Sequence, residues 1–196
     1  NSVFPTEVMK ITGGVAGGIP VEVLKGNRTR PTTDRIRESL FGSLRDRIPD
    51  AAVLDLFAGS GALGLEAASR GAARVDFVEK HGGTCRLIEK NAAKVTKAGS
   101  TAALRVHVLD SFRYLKTPGL GQVDLVFADP PYALLEPNGA YAQLLGAVAN
   151  SGVLAKSGLL VVEASSRLQL PDLSEWKVLK SKNYGSSTLT LWVPAP

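Results

Sequence analysis

The sequence predicts an α/β fold: a mostly parallel β-sheet with helices on both faces and an antiparallel hairpin at the C-terminal end. Two observations carry this prediction. From residue 52 onward, short apolar β-prone runs alternate with helical segments, the pattern of strands buried on both faces and joined by crossover helices. The last two β-prone runs break that alternation, being joined by a short turn, as in an antiparallel pair.

In chain order, Ala52 to Phe57 reads as the first buried strand, followed by a helix over Ala62 to Arg70 that Gly71 ends. Arg74 to Glu79 is a second strand, and Gly83 to Ala98 a helix ended by Gly99. Ala103 to Leu109 and Val123 to Ala128 are the third and fourth strands. A helix over Gly139 to Asn150 leads to a fifth strand, Gly158 to Ala164. Trp176 to Lys182 and Ser187 to Val193 are the terminal hairpin, turning through Asn183-Tyr184-Gly185. Upstream, Lys10 to Leu24 holds two β-prone runs around glycines, a second hairpin. Thr32 or Thr33 caps a helix over Arg35 to Leu44, with Ile36, Leu40, Phe41 and Leu44 at helical spacing. Residues 1–8 show no pattern and are expected to be a tag remnant or a disordered extension. Residues 9–196 are expected to form one domain, with the hairpin and helix in 9–50 and the core in 51–196.

Composition narrows the function classes. Hydrophobic residues make up 44% of the 196 and charged residues 21%, which argues against disorder. No apolar run approaches the roughly 20 residues that span a bilayer. Cys85 is the only cysteine, so no intramolecular disulfide is possible, and with His81 and His107 it offers no spaced metal-ligand set. A reduced, cytoplasmic, metal-free monomer is expected. Of the net charge of +5, most sits in residues 25–37, where Lys25, Arg28, Arg30, Arg35 and Arg37 face the single acid Asp34. Such a stretch suits a phosphate backbone, although a solvated helix start reads the same way.

The turn after the first strand carries Gly59, Gly61 and Gly64 in a G-x-G-x-x-G spacing, which permits a tight turn and close approach of a ligand. Glu79, twenty residues after Gly59, can accept hydrogen bonds from both hydroxyls of a ribose. This much also fits a nicotinamide dinucleotide. Asp55 tilts the reading, because an anion there is unwelcome beside a pyrophosphate and useful beside a cationic amino-acid moiety. Asp110-Ser111-Phe112 could flank an adenine with a polar side chain and an aromatic ring. The blander alternatives are that Asp55 caps the turn and Asp110 a short helix.

Asp129-Pro130-Pro131-Tyr132 leaves the fourth strand on the edge that holds the glycine turn, where ligands of open α/β sheets bind. The exocyclic nitrogen of guanine or adenine is a poor nucleophile because its lone pair is delocalised into the ring. Two acceptors aimed at its hydrogens, the Asp129 carboxylate and the Pro130 carbonyl, would pyramidalise it and direct the lone pair. Proline before proline is confined to extended geometry, which fixes that carbonyl. Tyr132 offers a π-face to a base taken out of its stack.

Asp55 to Gly64 followed by Asp129 to Tyr132 resembles the amino-methyltransferases of nucleic acids. Arg30-Pro-Thr-Thr-Asp-Arg-Ile-Arg-Glu-Ser-Leu-Phe41 is narrower and resembles the RsmD family of bacterial 16S rRNA guanine-N2 methyltransferases. The resemblance implies a Rossmann-like class I methyltransferase sheet of seven strands with a small N-terminal extension. It implies S-adenosyl-L-methionine as donor, and 16S rRNA or a small-subunit assembly particle as partner. Asp55, Phe57, Gly59, Ser60, Gly61 and Glu79 would bind the donor, with Asp110, Ser111 and Phe112 on its adenine side. Asp129, Pro130 and Tyr132 would hold the guanine. Lys25, Arg28, Arg30, Arg35 and Arg37 would meet RNA phosphates or the donor's methionine end. One departure is Val15-Ala16-Gly17-Gly18-Ile19, neutral where members of the family carry bulky and basic residues.

Cys85, His107, Trp176 and Trp192 read as packing residues, and His81 and Lys80 as solvated loop residues. Competing readings are an adenine-N6 or other amino-methyltransferase, a dinucleotide-dependent oxidoreductase that would make Asp129 to Tyr132 accidental, and a non-catalytic RNA-binding module.

Overall fold

The computed structural model describes residues 6–24, 34–135 and 139–196. It contains a two-stranded sheet, β1 (Thr6–Lys10) and β2 (Pro20–Leu24), and a seven-stranded sheet. The latter is built from β3 (Ala52–Leu56), β4 (Arg74–Glu79), β5 (Ala103–Val108), β6 (Val123–Ala128), β7 (Leu154–Ser165), β8 (Trp176–Tyr184) and β9 (Ser187–Pro194), in the order β5-β4-β3-β6-β7-β9-β8. The first five of these pair in parallel, while β9 runs antiparallel between β7 and β8. The predicted class and terminal hairpin are therefore present. The strand order reverses between β3 and β6, which opens the crevice where ligands of such sheets bind.

Helices α1 (Asp34–Ser43), α2 (Ala62–Ser69) and α3 (Gly82–Lys97) cover one face together with the small hairpin. Helices α4 (Ser111–Leu115), α5 (Tyr132–Leu135) and α6 (Ala140–Ser151) cover the other. Sequence spacing explains α1: Ile36, Leu40 and Phe41 are its buried apolar stripe, and the Phe41 ring lies 5.6 Å from that of Phe127 on β6. The predicted caps Thr32 and Thr33 lie outside the described residues. Trp176 and Trp192 are buried, their indole N–H groups donating to the Leu145 carbonyl and the Tyr141 hydroxyl. Among the described residues no helix is long and apolar enough to cross a membrane.

The N-terminal end corrects one expectation. Residues 6–8 are the first three of β1, paired with Glu22 to Leu24, so the ordered chain starts before residue 9. The loop between β1 and β2 is anchored on α2, with Ala16 fully buried and Val15 left 60% exposed. Ser69 at the end of α2 accepts the Val15 N–H through its carbonyl and the Ala16 N–H through its hydroxyl. Gly14 has φ +78°, and a Cβ there would stand 1.9 Å from the Ser69 carbonyl oxygen. The loop is thus pressed against the C-terminal end of α2, which runs back toward the amino ends of the strands. A bulky or basic side chain has no room at Gly14.

Glu66 fastens this extension from inside. Its carboxylate, fully buried, accepts from the Thr12 N–H (2.9 Å) and hydroxyl (2.6 Å) and from Arg70 Nε (2.8 Å). Arg37 Nε of α1 lies 4.0 Å away. Removing one partner of a buried charged cluster leaves the others uncompensated and costs about 3–5 kcal/mol. Glu66→Ala is therefore expected to lower unfolding stability by an amount in that range in urea titrations, whereas Lys97→Ala on the exposed end of α3 should change it by less than about 0.5 kcal/mol.

Candidate active site

The chain from β3 to α2 is bent by residues in left-handed backbone conformation: Phe57 (φ 58°), Gly59 (φ 54°) and Gly61 (φ 80°). For Phe57 this is a costly conformation, held by its N–H donating to Ser111 Oγ at 3.2 Å. Gly64 serves close packing, since a Cβ there would sit 2.3 Å from the Phe77 ring. The same turn is tied to two carboxylates. Asp55 Oδ2 accepts the Gly64 N–H at 2.9 Å, and Glu79 Oε2 accepts the Gly59 N–H at 3.1 Å while its Oε1 accepts the His81 N–H at 2.9 Å.

Asp55 is 2% exposed, and burial pushes its carboxyl up to about 8; the Gly64 N–H opposes the rise, and the charges of Asp129 and Glu79 add to it. Three carboxylates, from the ends of β3, β4 and β6, therefore converge where the glycine turn opens. That donor set distinguishes between cofactors. A dinucleotide would bring its pyrophosphate to the start of α2, but the Gly64 N–H there is already bonded to Asp55, and every nearby side-chain charge acting on Asp55 is negative. A ligand carrying a sulfonium and an ammonium supplies the positive charge that the site lacks.

On the β5 side, Asp110 caps α4 by accepting the Phe112 and Arg113 N–H groups, both at 3.1 Å. The Phe112 ring meets that of Phe57 edge-on at 6.1 Å. On the β6 side, Asp129 is half-buried and Pro130 buried as the chain leaves the strand, and Tyr132 opens α5. The Tyr132 ring lies outside the described residues, as do Lys25, Arg28 and Arg30.

The structure redraws the basic stretch. Arg35 is exposed at the start of α1. Arg37, expected to meet RNA, is 3% exposed, and its guanidinium contacts Asp34 (2.6 Å), the Lys10 carbonyl (2.9 Å) and Met9 Sδ (3.1 Å). It is spent inside the protein, joining α1 to β1. Ser60 likewise turns its hydroxyl to the extension, accepting the Leu24 N–H at 2.9 Å. Asn91 completes this joint: fully buried on α3, it exchanges bonds with the Glu22 backbone at 2.9 and 2.7 Å and reaches the Ser60 carbonyl at 3.5 Å. Its signal in the sequence is a polar residue on the apolar stripe that includes Ile88 and Val95.

A family model described as "Conserved hypothetical protein 95" matches residues 9–193. Ribosomal RNA small subunit methyltransferase D of Escherichia coli (strain K12) is 34% identical over 185 residues, which cover 94% of this chain and 89% of that protein. The chain belongs to the RsmD family. Among solved structures, a putative methyltransferase, yhhF from Escherichia coli, superposes with a TM-score of 0.82 at 34% identity, covering 96% of this chain and 99% of that one. A putative SAM-dependent methyltransferase from Streptococcus mutans shares the fold at 14% identity, with a TM-score of 0.70 over 95% of this chain and 55% of its own. The Rossmann-like architecture read from the sequence is thus that of this RsmD-family chain.

The raised Asp55 carboxyl has a pH signature. The folded protein without ligand keeps a proton that the unfolded chain releases near 3.8, so this group weakens the fold as pH rises from about 4 to about 8. The stability difference between Asp55→Asn and the parent is expected to move in favour of the variant across that window and level off above it, as read by urea unfolding at a series of pH values.

Proposed function

We propose that this chain transfers a methyl group from S-adenosyl-L-methionine to the exocyclic N2 amine of a guanine in 16S rRNA of the small ribosomal subunit. The observation that carries this reading is the placement of Asp129 and Pro130 at the carboxyl end of β6. Their strand is paired in parallel with β3, so they stand beside the Asp55–Gly64 turn. Relatives from Escherichia coli and Haemophilus influenzae bear the name ribosomal RNA small subunit methyltransferase D, which supports methylation of small-subunit rRNA. The choice of guanine N2 rests on the resemblance of the segment from Arg30 to Phe41.

In this reading Asp55 faces the donor's amino-acid moiety, Glu79 its ribose, and Asp110, Ser111 and Phe112 its adenine side. Phe57 and the backbone of Gly59, Ser60 and Gly61 line the approach. When bound, the donor supplies an electrophilic methyl group on a positively charged sulfur. The protein's own task is to prepare the amine. The Asp129 carboxylate and the Pro130 carbonyl each accept one amine hydrogen, which draws nitrogen out of conjugation and turns its lone pair toward the methyl. Asp129 is then also placed to receive the proton that the alkylated nitrogen sheds. Tyr132 stacks on the extruded base. Positioning and electrostatics provide the acceleration, with no covalent enzyme intermediate.

The test uses small-subunit particles or 16S rRNA from a strain lacking the modification, labelled donor, and nucleoside analysis by mass spectrometry. The expected product is N2-methylguanosine. Asp129→Ala is expected to reduce turnover by about 10²-fold or more, comparable to deleting a positioned catalytic hydrogen-bonding group, with S-adenosylhomocysteine affinity changed only a few-fold. Parent-like turnover by that variant would exclude the amine clamp, and methylation at another base position would exclude the guanine-N2 assignment.

A further inference from the structure

Strand β8 is the edge of the large sheet, and from Trp176 to the C-terminus the chain carries three lysines and no acid. Strict alternation in β8 would place Lys177 on one face and Lys180 and Lys182 on the other. The structure differs because the register shifts between Val178 and Lys180. Lys177 pairs with Val193, Lys180 with Leu191 and Lys182 with Leu189, three residues that all belong to the apolar layer beneath α1. The bulge therefore gathers all three lysines on the α1 face. Such bulges re-aim side chains and are designed features of sheets.

Contacts with α1 confirm the direction for Lys180 and Tyr184, and Lys182 sits over the Tyr184 ring. Lys180 Nζ lies 3.2 Å from Ser43 Oγ, the Tyr184 hydroxyl 2.8 Å from Ser39 Oγ, and Lys182 Nζ 4.9 Å from the centre of the Tyr184 ring. All three lysines are exposed. Tyr184 pairs with Ser187, which in turn faces Ser165 at the carboxyl end of β7. The row therefore climbs toward the sheet edge that carries Asp129. The acids Asp172 and Glu175 precede Trp176, at the opposite end of the strand. Three strand spacings of roughly 4.8 Å place β8 about 14 Å from β6, less than the width of an RNA helix. Arg35 at the start of α1 stands on the same face.

We propose that Lys177, Lys180 and Lys182 form a phosphate-binding ladder that holds the RNA backbone flanking the target nucleotide. This rests on the reading of the substrate as rRNA. The occupant is set by charge: an edge strand with three aligned cations and no acid matches a polyanion with regularly spaced charges. The ladder replaces Arg37 in that role. The competing occupant is bulk water, with the lysines serving only to stop edge-to-edge pairing of sheets.

The experiment compares the parent with the triple variant Lys177→Gln, Lys180→Gln, Lys182→Gln. A control triple, Arg86→Gln, Lys97→Gln, Lys116→Gln, removes three exposed cations elsewhere. Binding of 16S rRNA and of small-subunit particles is measured across a salt series. If each lysine neutralises one phosphate, the slope of log affinity against log salt falls by about 2 to 3 in the β8 triple and stays near the parent's in the control. KM for RNA should rise at least tenfold in the β8 triple, while kcat at saturating RNA and S-adenosylhomocysteine affinity stay at parent values. An unchanged slope, or an equal fall in the control, overturns the ladder. Because the slope is read from binding, it is decided even if no methyl transfer to guanine is detected, an outcome that would instead remove the proposed reaction.

Discussion

The site depends on one arrangement: a carboxylate buried at the N-terminus of a helix. Asp55 fills the position above α2 that a phosphate would take in a dinucleotide-binding protein, and its bond to the Gly64 N–H holds the glycine turn in place. Burying that group is unfavourable in the absence of a cation, as its raised pKa records. The fold tolerates this because the strands on either side, β4 and β6, both pair with β3 from Val53 to Leu56 and hold Asp55 in register. A ligand that brings positive charge relieves this unfavourable field, so the residues that oppose the charge on Asp55 also favour a cationic partner.

The second constraint is the attachment of the N-terminal extension. It is held from two directions. Glu66, Ser69 and Arg37 fasten β1 and its loop to α2 and α1, and Ser60 and Asn91 fasten β2 to the glycine turn and α3. Polar groups do this work because the extension has little apolar area of its own; Ile11, Ala16 and Val21 are its buried contribution. A buried, mutually satisfied polar network also specifies a single docking geometry, which apolar contact alone does not. The end of β2 at Leu24 is thus fixed against the glycine turn.

Much of this was legible beforehand, for identifiable reasons. The parallel sheet announced itself through apolar runs at β3, β4 and β6, and the two site motifs through glycines and prolines whose backbone constraints are local. The strand bounds of β4 and β6 match residue for residue. What stayed hidden depends on tertiary contact. Arg37 belongs by sequence to the basic stretch, because charge is visible in sequence and burial is not. Residues 6–8 lacked a pattern of their own because β1 owes its strand to pairing with β2. Short helix α4 was read only as a possible cap at Asp110, and its five residues are too few to show a period.

The bulge in β8 is the clearest case of information absent from the sequence. Lys177, Lys180 and Lys182 have spacings of three and two, which suit neither a regular strand face nor a helical stripe. One inserted residue, Leu179, reconciles them, and it is 55% exposed. An apolar side chain left in solvent on an edge strand is not what burial alone would select. Its presence makes sense if the insertion is retained for what it does to its neighbours. By shifting the register it turns a scattered set of cations into a row beside α1, the helix whose first turn carries the exposed Arg35. Charge in this protein is thus divided by position: negative groups gather at the ends of β3, β4 and β6, and positive groups line the β8 flank, the division that the proposed function and the proposed ladder require.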